Sequence, residues 1–182
     1  MNDISGLEIR IELSTQIMTL MLGGREWLCY RVSTGLAGAG EQNGSGATPR
    51  GRHRIRACIG GGQPRAAVFR GRRPTGEIWT PRMAQRYPGR DWILTRILWL
   101  CGEEPGYNRL GSVDSMKRFI YIHGTPDSEP MGRPASHGCI RMSNDDILQF
   151  WEWVEPGTPV LIHAGSGSVG PGRSRTQQGE EP

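Results

Sequence analysis

Two short blocks carry residue types that can do acyl-transfer chemistry. One is Ile122-His123-Gly124-Thr125; the other is Ser136-His137-Gly138-Cys139-Ile140-Arg141-Met142. A thiol becomes a strong nucleophile when it loses its proton, and an imidazole within hydrogen-bond reach is a natural acceptor for that proton. Two imidazoles qualify. His137 lies two positions before Cys139, so in extended chain their side chains share one side. His123 ends an apolar run, Phe119-Ile120-Tyr121-Ile122, that reads as a strand and would hold the ring in the fixed geometry a general base requires. Gly138, beside the thiol, leaves backbone N–H groups open to a developing oxyanion.

Other uses of these residues fit less well. His123, His137, Cys139 and His163 could supply nitrogen and sulfur ligands to zinc, but the paired spacing of structural zinc sites is missing, so no metal and no cofactor is expected. Four cysteines scattered at 29, 58, 101 and 139 read as reduced thiols, with Cys29, Cys58 and Cys101 in packing roles. Arginines 50, 52, 54, 56, 65, 70, 72 and 73 occur where there is no acidic residue between Glu41 and Glu77, although the net charge is only +4. That stripe lacks interleaved aromatics, which argues against nucleic acid as a partner. It reads as a solvated strand face, or as a positive field that attracts an acidic substrate.

The Ser-His-Gly-Cys-Ile-Arg block, the upstream His123-Gly124-Thr125, and Ser33-Thr34-Gly35 followed by Thr48-Pro49-Arg50-Gly51 together resemble the L,D-transpeptidase (YkuD-type) catalytic domain of bacterial cell-wall enzymes. The resemblance runs from about Leu7 to His163. It implies that Cys139 is the nucleophile, that His123 is its base, and that the backbone carbonyl of Gly124 orients the imidazole. It also implies that Ser136, His137 and Gly138 line the substrate and oxyanion pocket with Cys139, and that Arg141 contacts substrate. The reaction implied is attack on the carbonyl of the diamino acid at the third position of a peptidoglycan stem peptide. D-alanine leaves and a thioester forms. An amine acceptor then gives a 3-3 cross-link, and water gives an L,D-carboxypeptidase.

The elements that must position these residues read as mainly β. The chain has 182 residues with 27 glycines and 13 prolines, enough turn formers for many short strands. Leu7, Ile9, Ile11 and Leu13 alternate with charged residues, as one-sided strands do, and Met18, Leu20 and Leu22 alternate again. Gly23-Gly24 then supplies the positive φ of a tight hairpin turn. A small-residue loop spans Gly35 to Ala47, and Arg52, Arg54 and Arg56 form one face of the next strand. Residues 78 to 107 are rich in Trp and Tyr and suit packing or the wall of a substrate groove. Ser143 caps a helix over Ile147, Leu148, Phe150, Trp151 and Val154, which Pro156-Gly157-Thr158-Pro159 stops before a last strand, Val160-Leu161-Ile162. The expected architecture is a YkuD-like β-sandwich or barrel with one or two short helices over residues 1–164, followed by a disordered tail over 165–182.

The polar start, Met1 to Gly6, shows no secretory leader and no membrane span is evident, so the chain as read is expected to be cytoplasmic; a longer true N-terminus would make it periplasmic or envelope-bound. A cytoplasmic enzyme would meet soluble muropeptides, which favours L,D-carboxypeptidase trimming over cross-linking. The partners expected are therefore peptidoglycan stem peptides or muropeptides. A wall-binding domain without catalysis is the alternative of another class.

Overall fold

The structure, a computed structural model, describes residues 6–165; the expected tail lies outside them apart from Gly165. The fold is mainly β, with ten strands and two α-helices. A meander opens it: β1 (Leu7–Glu12), β2 (Ile17–Leu22) and β3 (Arg25–Arg31). Gly23 and Gly24 have φ of 58° and 79°, so the tight turn read from the sequence joins β2 to β3. The next strand, β4 (Gly51–Ile59), exposes Arg52, Arg54 and Arg56 and buries His53 and Ile55. Then come a hairpin, β5 (Ala67–Arg70) and β6 (Arg73–Ile78), a short helix α1 (Pro81–Arg86), and the long β7 (Ile93–Gly102). The chain ends its described part with β8 (Tyr121–Gly124), β9 (Ile140–Met142), α2 (Asn144–Trp151) and β10 (Pro159–His163).

All ten strands join one hydrogen-bonded sheet in the order β3-β2-β1-β10-β4-β7-β5-β6, with β8 on the other edge of β7 and β9 beyond β8. The parallel contacts, β1 with β10 and β8 with β9, join strands far apart in sequence or separated by the loop that carries Cys139. Among these strands β7 is the hub, since it pairs with β4, β5 and β8. Its run Ile93–Leu100 is buried on both faces, which is why its sequence shows no alternation.

The two faces of the central strands do different work. Leu98, Leu100, Ile122 and Ile140 point into the main core, where Ile147 and Phe150 of α2 cover them. Ser143 starts that helix as expected, its hydroxyl accepting the Asp146 N–H at 3.1 Å. The opposite face holds a smaller cluster of Ala67, Phe69, Ile97 and Tyr121, against which Trp99 and Cys139 pack. Burying one apolar face under α2 therefore leaves the other free for chemistry.

Candidate active site

Side-chain alternation brings the two sequence blocks together. In the parallel pair of β8 and β9, His123 lies opposite Arg141 and Ile122 opposite Ile140. Ile122 and Ile140 enter the core, so Tyr121 and His123, with Cys139 and Arg141, project from the other face. His123 is fully buried, and its Nδ1 bonds the Gly124 carbonyl at 2.7 Å. A ring nitrogen facing a carbonyl must carry the proton, so Nε2 holds the lone pair. That Nε2 has no protein partner among the described residues. The position of Gly124 is itself dictated by crowding: a Cβ there would lie 2.7 Å from the Leu94 carbonyl and 2.9 Å from the Asn144 Oδ1. Asn144 is the anchor of this corner, bonding the Thr125 carbonyl at 2.8 Å, Asp127 at 3.0 Å and the Thr95 hydroxyl.

The loop from Ser136 to Cys139 is clamped by the segments that flanked it in the sequence reading. Ser33 exchanges backbone bonds of 3.0 and 2.8 Å with Arg141, the Thr34 carbonyl accepts from the N–H groups of Ala135 and Ser136, and Leu36 donates to the Ser136 carbonyl. Thr48 donates to the Gly138 carbonyl at 2.9 Å and accepts the Gly35 N–H at 2.8 Å. The Ser-Thr-Gly and Thr-Pro segments are thus braces for the thiol loop. Ser136 closes the brace, its hydroxyl donating to the Cys139 carbonyl at 2.5 Å and accepting the Gly138 N–H at 3.1 Å. That bond engages the Gly138 amide, so of the three amides expected for an oxyanion, those of His137 and Cys139 are the better placed to serve.

Electrostatics keep the resting thiol neutral. Burial pushes the Cys139 thiol up to about 12, and Asp91 adds to this; the Tyr121 backbone bond, Arg141 and Arg118 offset only part. Its Sγ donates to the Phe119 carbonyl at 3.4 Å. Burial likewise pushes the His123 pKa down, with Asp91 and the Gly124 carbonyl opposing. A neutral thiol beside a neutral imidazole suits proton transfer during attack rather than a standing ion pair.

His137 stands elsewhere. Its side chain is 77% exposed at the rim, and Nδ1 meets Asp91 at 3.1 Å. Asp91 also takes Arg141 at 2.6 Å. Burial would raise the Asp91 pKa, but His123, His137 and Arg141 outweigh it and hold the carboxyl below its usual range. Arg141, expected to touch substrate, is only 6% exposed and is committed to Asp91, to Glu129 at 3.0 Å and to the Ala135 carbonyl. Its role in the structure is to brace the loop, because burying a guanidinium demands carboxylate partners. No sequence signal singled out Asp91; residues 91 and 141 meet only through the fold.

Two clefts flank Asp91. One, of about 370 Å³, is lined by Phe69, Arg70, Gly71, Arg90, Asp91 and Ile93. The other, of about 230 Å³, runs past Trp79, Tyr87, Trp92 and Glu129 to His137 and Arg141. The aromatic stretch therefore contributes both packing, through Trp92 and β7, and cleft wall, through Trp79 and Tyr87. His53 and His163 lie apart from the site: His53 is buried against Ser115, and His163 pairs with Glu12 at the end of β10. All four cysteines are free.

The branched β-sheet thus carries a buried imidazole on β8 and a thiol at the entry to β9. The sequence model for the L,D-transpeptidase catalytic domain, YkuD, matches residues 7–162, and the chain belongs to that family. It is 44% identical over 45 residues to the L,D-transpeptidase-like protein YqjB of Bacillus subtilis, covering 25% of this chain and 26% of that one. It is 35% identical over 96 residues to an L,D-transpeptidase-like protein from the ATP synthase region of Fuscovulum blasticum, covering 50% of this chain and 46% of the other. The chain thus spans about a quarter to a half of the length of these curated relatives. Among solved structures, the L,D-transpeptidase of Xylanimonas cellulosilytica superposes with a TM-score of 0.51 at 23% identity, over 90% of this chain and 63% of that one. L,D-transpeptidase 3 of Mycobacterium tuberculosis, in complex with a faropenem-derived adduct, gives 0.52 at 17% identity, over 86% and 59%. At these identities the structures share the fold.

Proposed function

We propose that this protein is a cysteine acyl-transfer enzyme of peptidoglycan stem peptides, with Cys139 as nucleophile, His123 as base and the Gly124 carbonyl as its orienter. The observation that carries the reading is the pairing of β8 with β9, which sets His123 opposite Arg141, two residues beyond Cys139, and leaves Nε2 of His123 free of protein partners among the described residues. In the forward step His123 Nε2 takes the Sγ proton as sulfur attacks the carbonyl of the third-position diamino acid. The oxyanion lies against the amides of Cys139 and His137. Collapse breaks the C–N bond, His123 returns the proton to the leaving D-alanine amine, and a thioester remains on Cys139.

We propose water as the acceptor in the first reading, making the protein an L,D-carboxypeptidase. Its support is the solvated rim: the His137 side chain, two residues before Cys139, is 77% exposed, which puts water next to the loop that carries the thiol. Transfer to an amine, giving a 3-3 cross-link, is the second reading, supported by membership of the L,D-transpeptidase family. Disaccharide-tetrapeptide incubated with the protein, with and without a second stem as acceptor, separates them by mass spectrometry. Tripeptide release supports hydrolysis and a 3-3 dimer supports transfer. Neither product, together with no adduct on Cys139 from a faropenem-type β-lactam, would leave a wall-binding domain.

A further inference from the structure

Two arginines near the candidate site are held on aromatic faces. Arg72 lies with its guanidinium carbon 4.6 Å from the centre of the Trp99 ring and 5.0 Å from that of Phe119, and it donates to the Tyr121 hydroxyl at 3.0 Å. Trp99 and Cys139 pack against the same cluster, which includes Tyr121, and the Phe119 carbonyl is the acceptor of the Cys139 Sγ. On the other side of the groove, Arg90 lies 4.1 Å from the centre of the Trp92 ring and 5.9 Å from that of Tyr87, and it lines both clefts. No carboxylate lies within ion-pair distance of either guanidinium among the described residues. Asp91, the acid between them, is taken by His137 and Arg141.

The backbone adds an independent sign. Arg72 and Phe119 both have positive φ, 66° and 57°, a conformation that costs a non-glycine side chain about 1 kcal/mol. The two strained residues touch each other beside the thiol. Arg72 is the second residue of the Gly71-Arg72 turn between β5 and β6, so the tip of this hairpin carries the cation. Stacking orients the guanidinium plane and leaves its edge donors for a planar anion.

Resting on the function proposed above, we propose that Arg72 and Arg90 are specificity residues that read free carboxylates on the acyl half of the stem peptide. The substrate class is then the free-acid stem rather than one whose internal carboxyl groups are carboxamides. A carboxylate accepts two parallel N–H bonds from a guanidinium, whereas a carboxamide offers one acceptor and no charge. Since Arg141 is buried in its own ion pairs, these two cations take the role its position suggested.

The test compares kcat/KM for a disaccharide-tetrapeptide with free internal carboxyl groups against the same compound with those groups amidated. The full chain, R72Q, R90Q and R72K are used, each checked for an unchanged melting profile. Wild type is expected to favour the free acid by about tenfold or more, less so as salt is raised. That preference is expected to fall several-fold in R72Q and in R90Q, through KM, and to be partly kept in R72K. A preference that stays the same in both glutamine variants, or a wild type that prefers the amide, would overturn the assignment while leaving the acyl-transfer reading standing. Absence of turnover of both compounds by wild type would overturn the two together.

Discussion

At the residue scale, the roles of the two histidines are separable by experiment. Replacing Cys139 by alanine should abolish the covalent adduct, and His123→Ala should lower turnover by orders of magnitude, because the loss of a general base costs about 10²–10⁴-fold. His137→Ala should leave most of the adduct formation, since that ring sits exposed on Asp91. Greater damage from His137→Ala than from His123→Ala, measured as adduct by intact mass, would reverse the assignment of the base. The neutral thiol gives a second expectation. With its pKa pushed up to about 12, Cys139 should alkylate faster with iodoacetamide as pH rises through the alkaline range, and slowly in mild acid. Fast labelling at pH 5 to 6 would mean a thiolate already paired with His123.

At the element scale, the site depends on how closely β8 meets its neighbours. Gly124→Ala would drive a methyl group into the Leu94 carbonyl and Asn144, neither of which is the free end of a flexible chain. Displacement of the carbonyl that orients His123 should cut turnover by about 10–100-fold, since small misplacements of a catalytic group are costly. The comparison is with Ser143→Ala, which removes the N-cap of α2 and should cost about 1 kcal/mol in chemical denaturation. That helix covers the face opposite Cys139, so the capping variant should keep its activity. A loss of turnover in Ser143→Ala equal to that in Gly124→Ala would show that the two faces are coupled. These elements also differ in legibility. The strands β1 to β4 and α2 were readable because each has one wet side and so alternates or repeats. The long β7 was not, because burial on both faces removes the pattern; the β5–β6 hairpin was not, because β6 is exposed throughout and carries no apolar side.

At the scale of the whole molecule, the arginine-bearing β4 is tied to the rest through its buried side. His53 bonds the Gly51 carbonyl at 3.0 Å and the Ser115 hydroxyl at 2.9 Å, and burial pushes its pKa down to about 4. Its proton is bound more readily by the unfolded chain, so stability falls as pH drops below about 6.5 and levels off below about 4. The loss is on the order of 3 kcal/mol. Denaturant midpoints taken between pH 7 and 4 should decline in wild type and less in His53→Gln; equal slopes would remove His53 from the account. Asp91 acts in the same direction at lower pH, its stabilisation being present above the ordinary carboxyl value and lost as pH falls through its own depressed one. Among the described residues no helix is long and apolar enough to cross a membrane.

The sequence by itself determined the chemistry on offer and the class of fold, because a thiol, two imidazoles and small neighbours are local facts, as are alternating strands and a capped helix. That Tyr121, His123, Cys139 and Arg141 share a face follows only from the pairing of β8 with β9. The tertiary structure alone decided what surrounds them. Asp91 meets Arg141 across a sheet edge, Ser33 and Thr48 brace a loop some ninety to a hundred residues away, and Arg72 stacks on Trp99. Burial and charge act through distance in space, and only the packed sheet sets that distance: it raises the pKa of the thiol, ties Arg141 to Asp91 and Glu129, and lays Arg72 and Arg90 on aromatic faces.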